Sequence, residues 1–105
     1  MSMILFVCTG NLCRSPMAAG LLHQRLAEEG LDSIHLVASA GVWAADGQPA
    51  SQNAVAVMAE RGIDITDHIA HTITANDVAE AELILVMGQE HSQMIRNTWP
   101  QYAWK

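Results

Sequence analysis

The feature that most constrains the fold is an uninterrupted apolar run, Met3 to Val7, that stops abruptly at a set of turn residues. Five consecutive apolar residues bounded in this way are typical of a strand buried on both faces of a sheet. Pro16 follows after a short turn, and proline is tolerated at the start of a helix, so we expect Ser15 to be the N-cap. The sequence therefore predicts a strand that turns directly into a helix.

The same alternation continues along the chain. The segment Ile34–Gly41 predicts a second strand, and Leu83–Met87 predicts a third strand that is buried. Ser51 as an N-cap and Gly62 as a C-terminal stop predict a second helix between them. Thr74 and Asp77 resemble a capping box and predict a short third helix, and a fourth helix is expected from about Gln89 to Arg96. We therefore expect one α/β domain over residues 1–105, a three-layer sandwich with a parallel three-stranded sheet flanked by helices. Ligands of such sheets bind beyond the carboxyl ends of the strands.

Composition excludes several classes of protein. A net charge of −6, with a single lysine in 105 residues, gives no support for binding to nucleic acid or to an anionic membrane. The first residues lack a secretory signal and the first apolar run is too short to span a bilayer, so we expect a cytoplasmic protein. In a reducing compartment, we expect Cys8 and Cys13 to be reactive or metal-binding thiols rather than residues with a purely structural role.

The turn after the first strand reads C-T-G-N-L-C-R-S, from Cys8 to Ser15. The N–H groups of a strand-to-helix loop can surround an anion. In this loop we expect the anion to be bound by the N–H groups of Thr9, Gly10, Asn11, Leu12, Cys13 and Arg14. The guanidinium of Arg14 matches two oxygens of a tetrahedral oxyanion. We therefore predict a site for phosphate or a similar oxyanion.

Cys8 is placed at the base of this loop, where the helix dipole and the guanidinium of Arg14 favour the thiolate form, which is the nucleophile. Ser15 can donate a hydrogen bond to that thiolate. The arrangement fits phosphoryl transfer to sulfur, with no metal and no cofactor. The plain alternative is that Cys8 and Cys13 are small residues buried in a tight turn. A zinc site needs about four ligands, which a single Cys-x4-Cys pair does not supply.

The segment "FVCTGNLCRSPMAAG" resembles the phosphate-binding loop of the low-molecular-weight protein-tyrosine phosphatases. Three further segments, "SAG" at 39–41, "ERGID" at 60–64 and "LILVM" at 83–87, have the order and spacing of that family. The resemblance implies a phosphatase-I-like fold and a protein-tyrosine or aryl phosphatase that works through a phosphocysteine on Cys8, with a phosphotyrosine protein or an aryl phosphate as substrate.

The resemblance also implies roles for individual residues. Arg14 would clamp the phosphate, and Cys13 would trap an oxidised Cys8 as a disulfide. Trp43 would line the wall of the cleft. The residues that would hold the loop by hydrogen bonds are Asn11, Ser15, Ser39 and His68. The plain alternatives are a surface histidine for His68 and a strand end for Ser39.

The sequence departs from the family's pattern at three points. Family members generally have an arginine at the position of His71 and an acidic residue at that of Gly88. The third departure is that no proline of this chain follows an aspartate, so the Asp-Pro loop that carries the family's general acid is absent. Its loss would cost a factor of order 10²–10⁴ in rate. Asp46 is a poor substitute for this acid.

We expect the chain to be a C-terminally truncated member of the family that lacks the fourth strand and the last helix. The third strand would then be an exposed sheet edge, which invites a dimer or a domain swap. Two other functions stay open. One is a thioredoxin-coupled arsenate reductase, although no cysteine follows Cys13 and Pro16 stands where those enzymes usually have glutamine. The other is a module that binds phosphate or phosphotyrosine without efficient turnover.

Overall fold

The computed structural model describes residues 2–44 and 46–102, and it confirms a parallel three-stranded sheet flanked by helices. The strands are β1 (Ser2–Cys8), β2 (His35–Gly41) and β3 (Leu83–Val86), in the order β2-β1-β3. The helices are α1 (Arg14–Glu28), α2 (Gln52–Glu60), α3 (Ala75–Glu80) and α4 (Gln89–Thr98), followed by a 3-10 turn at Pro100–Tyr102. Because β1 is the central strand, its carboxyl end lies between those of the other two.

Helix α1 begins two residues earlier than expected. Cys13 is the N-cap, so the prediction that Ser15 caps this helix is wrong. Ser15 lies within the first turn with its side chain buried. Pro16 is the third residue of α1, where an N–H would still have no acceptor within the helix. The other predicted caps are confirmed, since Ser51 accepts from the N–H of Ala54.

The third helix begins with the predicted capping box. The side chain of Thr74 accepts from the N–H of Asp77, and the carboxylate of Asp77 accepts from the N–H of Thr74. These two bonds satisfy two N–H groups at the helix end that lack partners within the helix. Such reciprocal pairs are recognisable in sequence because both partners lie within four residues.

The core lies mainly on one face of the sheet. Leu5 and Val7 of β1 pack there with Val78 of α3 and Ile95 of α4. Helix α1 covers the opposite face along β1 and β2. A second apolar cluster joins α2 to the segment that follows it, through Met58 and its neighbours.

Strand β3 is an edge strand, paired within the described residues only with β1. Its register places Leu83 beside Ile4 and Leu85 beside Phe6, on the face opposite the main core. Leu83 is 43% exposed and Leu85 37% exposed. The prediction of a strand buried on both faces is therefore wrong for β3, because α1 lies over β1 and β2.

Within residues 2–44 and 46–102, no helix is both long enough and apolar enough to cross a membrane.

Candidate active site

The candidate site is the loop that connects β1 to α1. Cys8 is the last residue of β1, and Asn11 adopts the left-handed conformation with a φ of 58°. Gly41, at the end of β2, pairs with Cys8. A Cβ atom on Gly41 would lie 2.6 Å from the carbonyl oxygen of Thr9 and 3.0 Å from the nitrogen of Asn11. Only glycine therefore allows the loop to pass so close to β2.

The sulfur of Cys8 is buried and accepts two hydrogen bonds. The N–H of Asn11 donates to it at 3.2 Å, and the hydroxyl oxygen of Ser15 lies 2.9 Å away. The side-chain amide of Asn11 donates to Ser15 Oγ at 2.9 Å, which leaves the hydroxyl proton of Ser15 free to point at the sulfur. Both donors are placed to hydrogen-bond to a thiolate, the form in which cysteine acts as a nucleophile.

Asn11 is the centre of this network, and its side chain is fully buried. Its amide nitrogen also donates to Ser39 Oγ at 3.0 Å. Its carbonyl oxygen on the main chain accepts from His68 Nε2 at 2.7 Å, so that ring nitrogen carries a proton. The structure thus brings Asn11, Ser15, Ser39 and His68 into one hydrogen-bonded cluster around the loop.

His71 contributes to the same cluster through its main chain. Its N–H donates to Asn11 Oδ1 at 3.0 Å, while its ring donates to Asp77 Oδ2 at 3.2 Å. The departure from the family's arginine at this position concerns only the side chain. An arginine could make the same bond to Asn11, because the donor is the main-chain N–H. A contact of this kind cannot be predicted from the residue type.

The loop retains unused donors. Within the described part of the chain, the N–H groups of Thr9, Gly10, Leu12 and Cys13 have no hydrogen-bond acceptor. The guanidinium of Arg14 is exposed and makes no ion pair or hydrogen bond to any described residue. Successive unpaired N–H groups beside a guanidinium are suited to receiving an oxyanion.

The remaining predicted residues lie around the loop. Cys13 is exposed, and its sulfur is 3.1 Å from Ser51 Oγ. Both cysteines are free thiols. Trp43 is 84% exposed on the loop after β2, and its N–H donates to the carbonyl of Thr9 at 3.0 Å. Asp46 accepts bonds from the N–H and the hydroxyl of Thr72, at 2.6 and 3.3 Å.

One further residue at the site, His91, was not predicted from the sequence. It lies in the first turn of α4 and is fully buried, with Nε2 3.0 Å from the hydroxyl oxygen of Thr9. The available signal was a histidine at the start of a helix that follows a strand, which places it at the carboxyl edge of the sheet.

The comparisons with known proteins agree with this geometry. The family profile described as "Low molecular weight phosphotyrosine protein phosphatase" matches residues 3–105. A "Probable low molecular weight protein-tyrosine-phosphatase EpsP" of Ralstonia nicotianae is 48% identical over 97 residues, which are 92% of this chain and 63% of that protein. A "Protein-arginine-phosphatase" of Bacillus subtilis is 38% identical over 99 residues, which are 94% of this chain and 64% of that protein.

A solved structure shows the same fold. The low-molecular-weight protein tyrosine phosphatase from T. tengcongensis superposes with a TM-score of 0.93 and 43% identity, over 100% of this chain and 71% of that one. The chain thus spans a little under two thirds of the length of the two curated relatives. From the match of the family profile and the shared fold, the chain belongs to the low-molecular-weight phosphotyrosine protein phosphatase family.

Proposed function

We propose that this protein is a protein-tyrosine or aryl phosphatase that acts through a phosphocysteine on Cys8. The observation that carries the proposal is the buried sulfur of Cys8, which receives two hydrogen bonds at the base of a loop whose outer N–H groups are unused. A phosphoryl group held by those N–H groups and by Arg14 would lie directly above the nucleophile. The loop thus combines an anion site with an activated sulfur.

In the first step, the thiolate of Cys8 attacks phosphorus in line with the bond to the aryl oxygen. The S–P bond forms, the P–O bond breaks, and the aryl oxide leaves with the electron pair and takes a proton from water or an acid. The loop N–H groups and Arg14 stabilise the charge on the three equatorial oxygens. Ser15 then stabilises the departing thiolate when water hydrolyses the phosphocysteine and releases phosphate.

The supporting residues would act by holding this geometry. Ser39, His68 and the main chain of His71 fix Asn11, which in turn orients Ser15. We also propose that Cys13 protects an oxidised Cys8 by forming a disulfide with it. Trp43 is proposed to border the substrate as the cleft wall, since its backbone is bonded to Thr9 and its ring is exposed.

The main alternative substrate is phosphoarginine, because the relatives include a protein-arginine-phosphatase. The identity to a protein named as a tyrosine phosphatase is 48%, against 38% and 42% to two proteins named as arginine phosphatases, and this difference favours the aryl substrate. Arsenate reduction is less favoured, because no cysteine follows Cys13 in this sequence.

The test is a rapid-quench measurement with p-nitrophenyl phosphate, a phosphotyrosine peptide and a phosphoarginine peptide. We expect a burst of p-nitrophenol equal to the concentration of active sites and a phosphoryl group on the peptide that contains Cys8. We also expect faster single-turnover dephosphorylation of the phosphotyrosine peptide than of the phosphoarginine peptide.

Two results would contradict the proposal. Phosphate binding with neither a burst nor steady release of p-nitrophenol would identify a binding module. A faster reaction with the phosphoarginine peptide would identify the protein as an arginine phosphatase instead. Because the burst reports only the first chemical step, it is informative even if later turnover is slow.

We further propose that a second copy of the chain pairs along β3. The outer edge of β3 has no partner strand within residues 2–44 and 46–102, and Leu83 and Leu85 leave apolar surface beside it. Antiparallel pairing of two β3 strands around a two-fold axis would make one continuous sheet and bring Leu83 and Leu85 of the two copies side by side on one face.

Sedimentation velocity over a range of concentrations tests this pairing. We expect a dimer that strengthens with salt, because added ions screen the repulsion between chains of net charge −6. Leu85→Lys should shift the equilibrium to monomer, whereas Val57→Lys on the exposed side of α2 should leave it unchanged. A monomer at every concentration would contradict the proposal. A dimer that survives Leu85→Lys would point to a different interface.

A further inference from the structure

We propose that His91 is a positioning residue of the phosphate-binding loop and holds Thr9, the residue directly after Cys8, by a hydrogen bond to its hydroxyl. This inference rests on the proposed phosphatase function, since it assigns a role in the same site. His91 comes from a different part of the chain, 82 residues after Thr9.

The position of His91 is fixed by the end of the sheet. The N–H of Met87, just after β3, donates to the carbonyl of Val7 at 3.0 Å, beside Cys8. Gly88 is the N-cap of α4, and the N–H of His91 bonds to its carbonyl at 3.1 Å. The imidazole is thereby placed in the first turn of α4, against the start of the loop, with no exposed surface.

The surroundings of the ring decide which nitrogen carries the proton. Nδ1 has no hydrogen-bond partner among the described residues, whereas Nε2 lies 3.0 Å from Thr9 Oγ1. A carboxylate oxygen of Glu90 is 3.6 Å from the same Nε2. A proton on Nε2 is attracted by that carboxylate and bonds to the hydroxyl, whereas a proton on Nδ1 would be a buried donor without an acceptor. The geometry therefore assigns His91 as the donor and Thr9 Oγ1 as the acceptor.

Thr9 is consequently held at two points. His91 binds its side chain, and the N–H of Trp43 donates to its carbonyl at 3.0 Å. The peptide between Thr9 and Gly10 carries one of the unused N–H groups of the loop, and Cys8 immediately precedes it. Fixing Thr9 therefore holds the first N–H groups of the anion site in a constant position relative to the sulfur of Cys8. Loss of the bond from His91 should weaken anion binding without changing the fold.

The test measures how well inorganic phosphate protects Cys8 from alkylation by iodoacetate, because this readout does not require turnover. All variants carry Cys13→Ser, so that only one cysteine reacts. His91→Phe fills the space without a donor, His91→Gln can present an amide N–H at the place of Nε2, and Thr9→Val removes the acceptor. His23→Gln, on the exposed side of α1, is the matched control.

We expect His91→Phe to raise the phosphate dissociation constant about 3- to 10-fold, the value of one lost hydrogen bond. His91→Gln should restore it to within about 2-fold, and His23→Gln should leave it unchanged. Thr9→Val should match His91→Phe, and the double variant should lose no more than either single one, because both remove the same bond.

Several outcomes would overturn the inference. If His91→Phe lowers the melting temperature but leaves the phosphate dissociation constant unchanged, His91 contributes only to packing. Additive losses in the double variant would show that His91 acts independently of Thr9. Failure of phosphate to protect Cys8 in the protein with His91 and Thr9 intact would instead refute the proposed function, and the inference with it.

Discussion

Replacement of Cys8 by serine is expected to abolish aryl phosphate hydrolysis, with a loss of at least about 10⁴-fold in turnover, as for removal of the nucleophile from other hydrolases. A serine hydroxyl is not ionised near neutral pH and cannot replace the thiolate as the attacking group. The change removes one sulfur and leaves the N–H groups of the loop and Arg14 in place. Phosphate binding should therefore persist while p-nitrophenol release and phosphoryl transfer disappear.

The matched control is Cys13→Ser, which keeps the second loop position small and polar. Cys13 is exposed and its sulfur lies beside Ser51, whereas the sulfur of Cys8 is buried against Ser15. We expect Cys13→Ser to retain the burst but to lose activity irreversibly after peroxide treatment, because no second thiol is then present. Hydrolysis that is equal in Cys8→Ser and in the unchanged protein would refute the thiolate mechanism.

Asn11→Ala should have the largest effect on stability, about 3 kcal/mol or more in the free energy of unfolding. The amide of Asn11 donates to Ser15 and Ser39 and accepts from the N–H of His71, so its removal leaves several buried polar groups without partners. Alanine is also disfavoured at a φ of 58°. Urea unfolding measures the change, as a lower midpoint at an unchanged slope.

Two further variants separate the causes. Asn11→Gly tolerates the left-handed backbone, so its deficit reports the amide alone. Asn53→Ala, on the exposed side of α2, is the control and should leave the midpoint unchanged or raise it slightly. Equal stabilities of the Asn11 and Asn53 alanine variants would mean that the network around the loop contributes nothing.

The sequence predicted the parts of the fold that depend on nearby residues. The run Met3–Val7, the turn after it and the helix that follows form one local unit, and the capping box of α3 lies within four residues. The resemblance to a family then supplied Ser39 and His68, which no local pattern distinguishes from an ordinary strand end or a surface histidine.

What the sequence could not supply depends on contacts between distant segments. Ser15 has the preferred residue type for an N-cap, but its hydroxyl is engaged with Cys8 and Asn11 instead. The apolar character of β3 predicted burial, but burial also depends on which helices lie over the strand. His91 approaches Thr9 only because β3 pairs with β1, a contact that hydrophobic periodicity cannot reveal.

The close approach at Gly41 has a consequence for the thermodynamics of ligand binding. Its N–H bonds to the carbonyl of His71 and its carbonyl accepts from the N–H of Ile73, while the loop occupies the space that a Cβ atom on Gly41 would need. The conformational entropy of the anion site is therefore lost when the sheet folds, before any ligand arrives. Phosphate should bind to a preorganised loop, and changes that destabilise the sheet should also lower the affinity for phosphate.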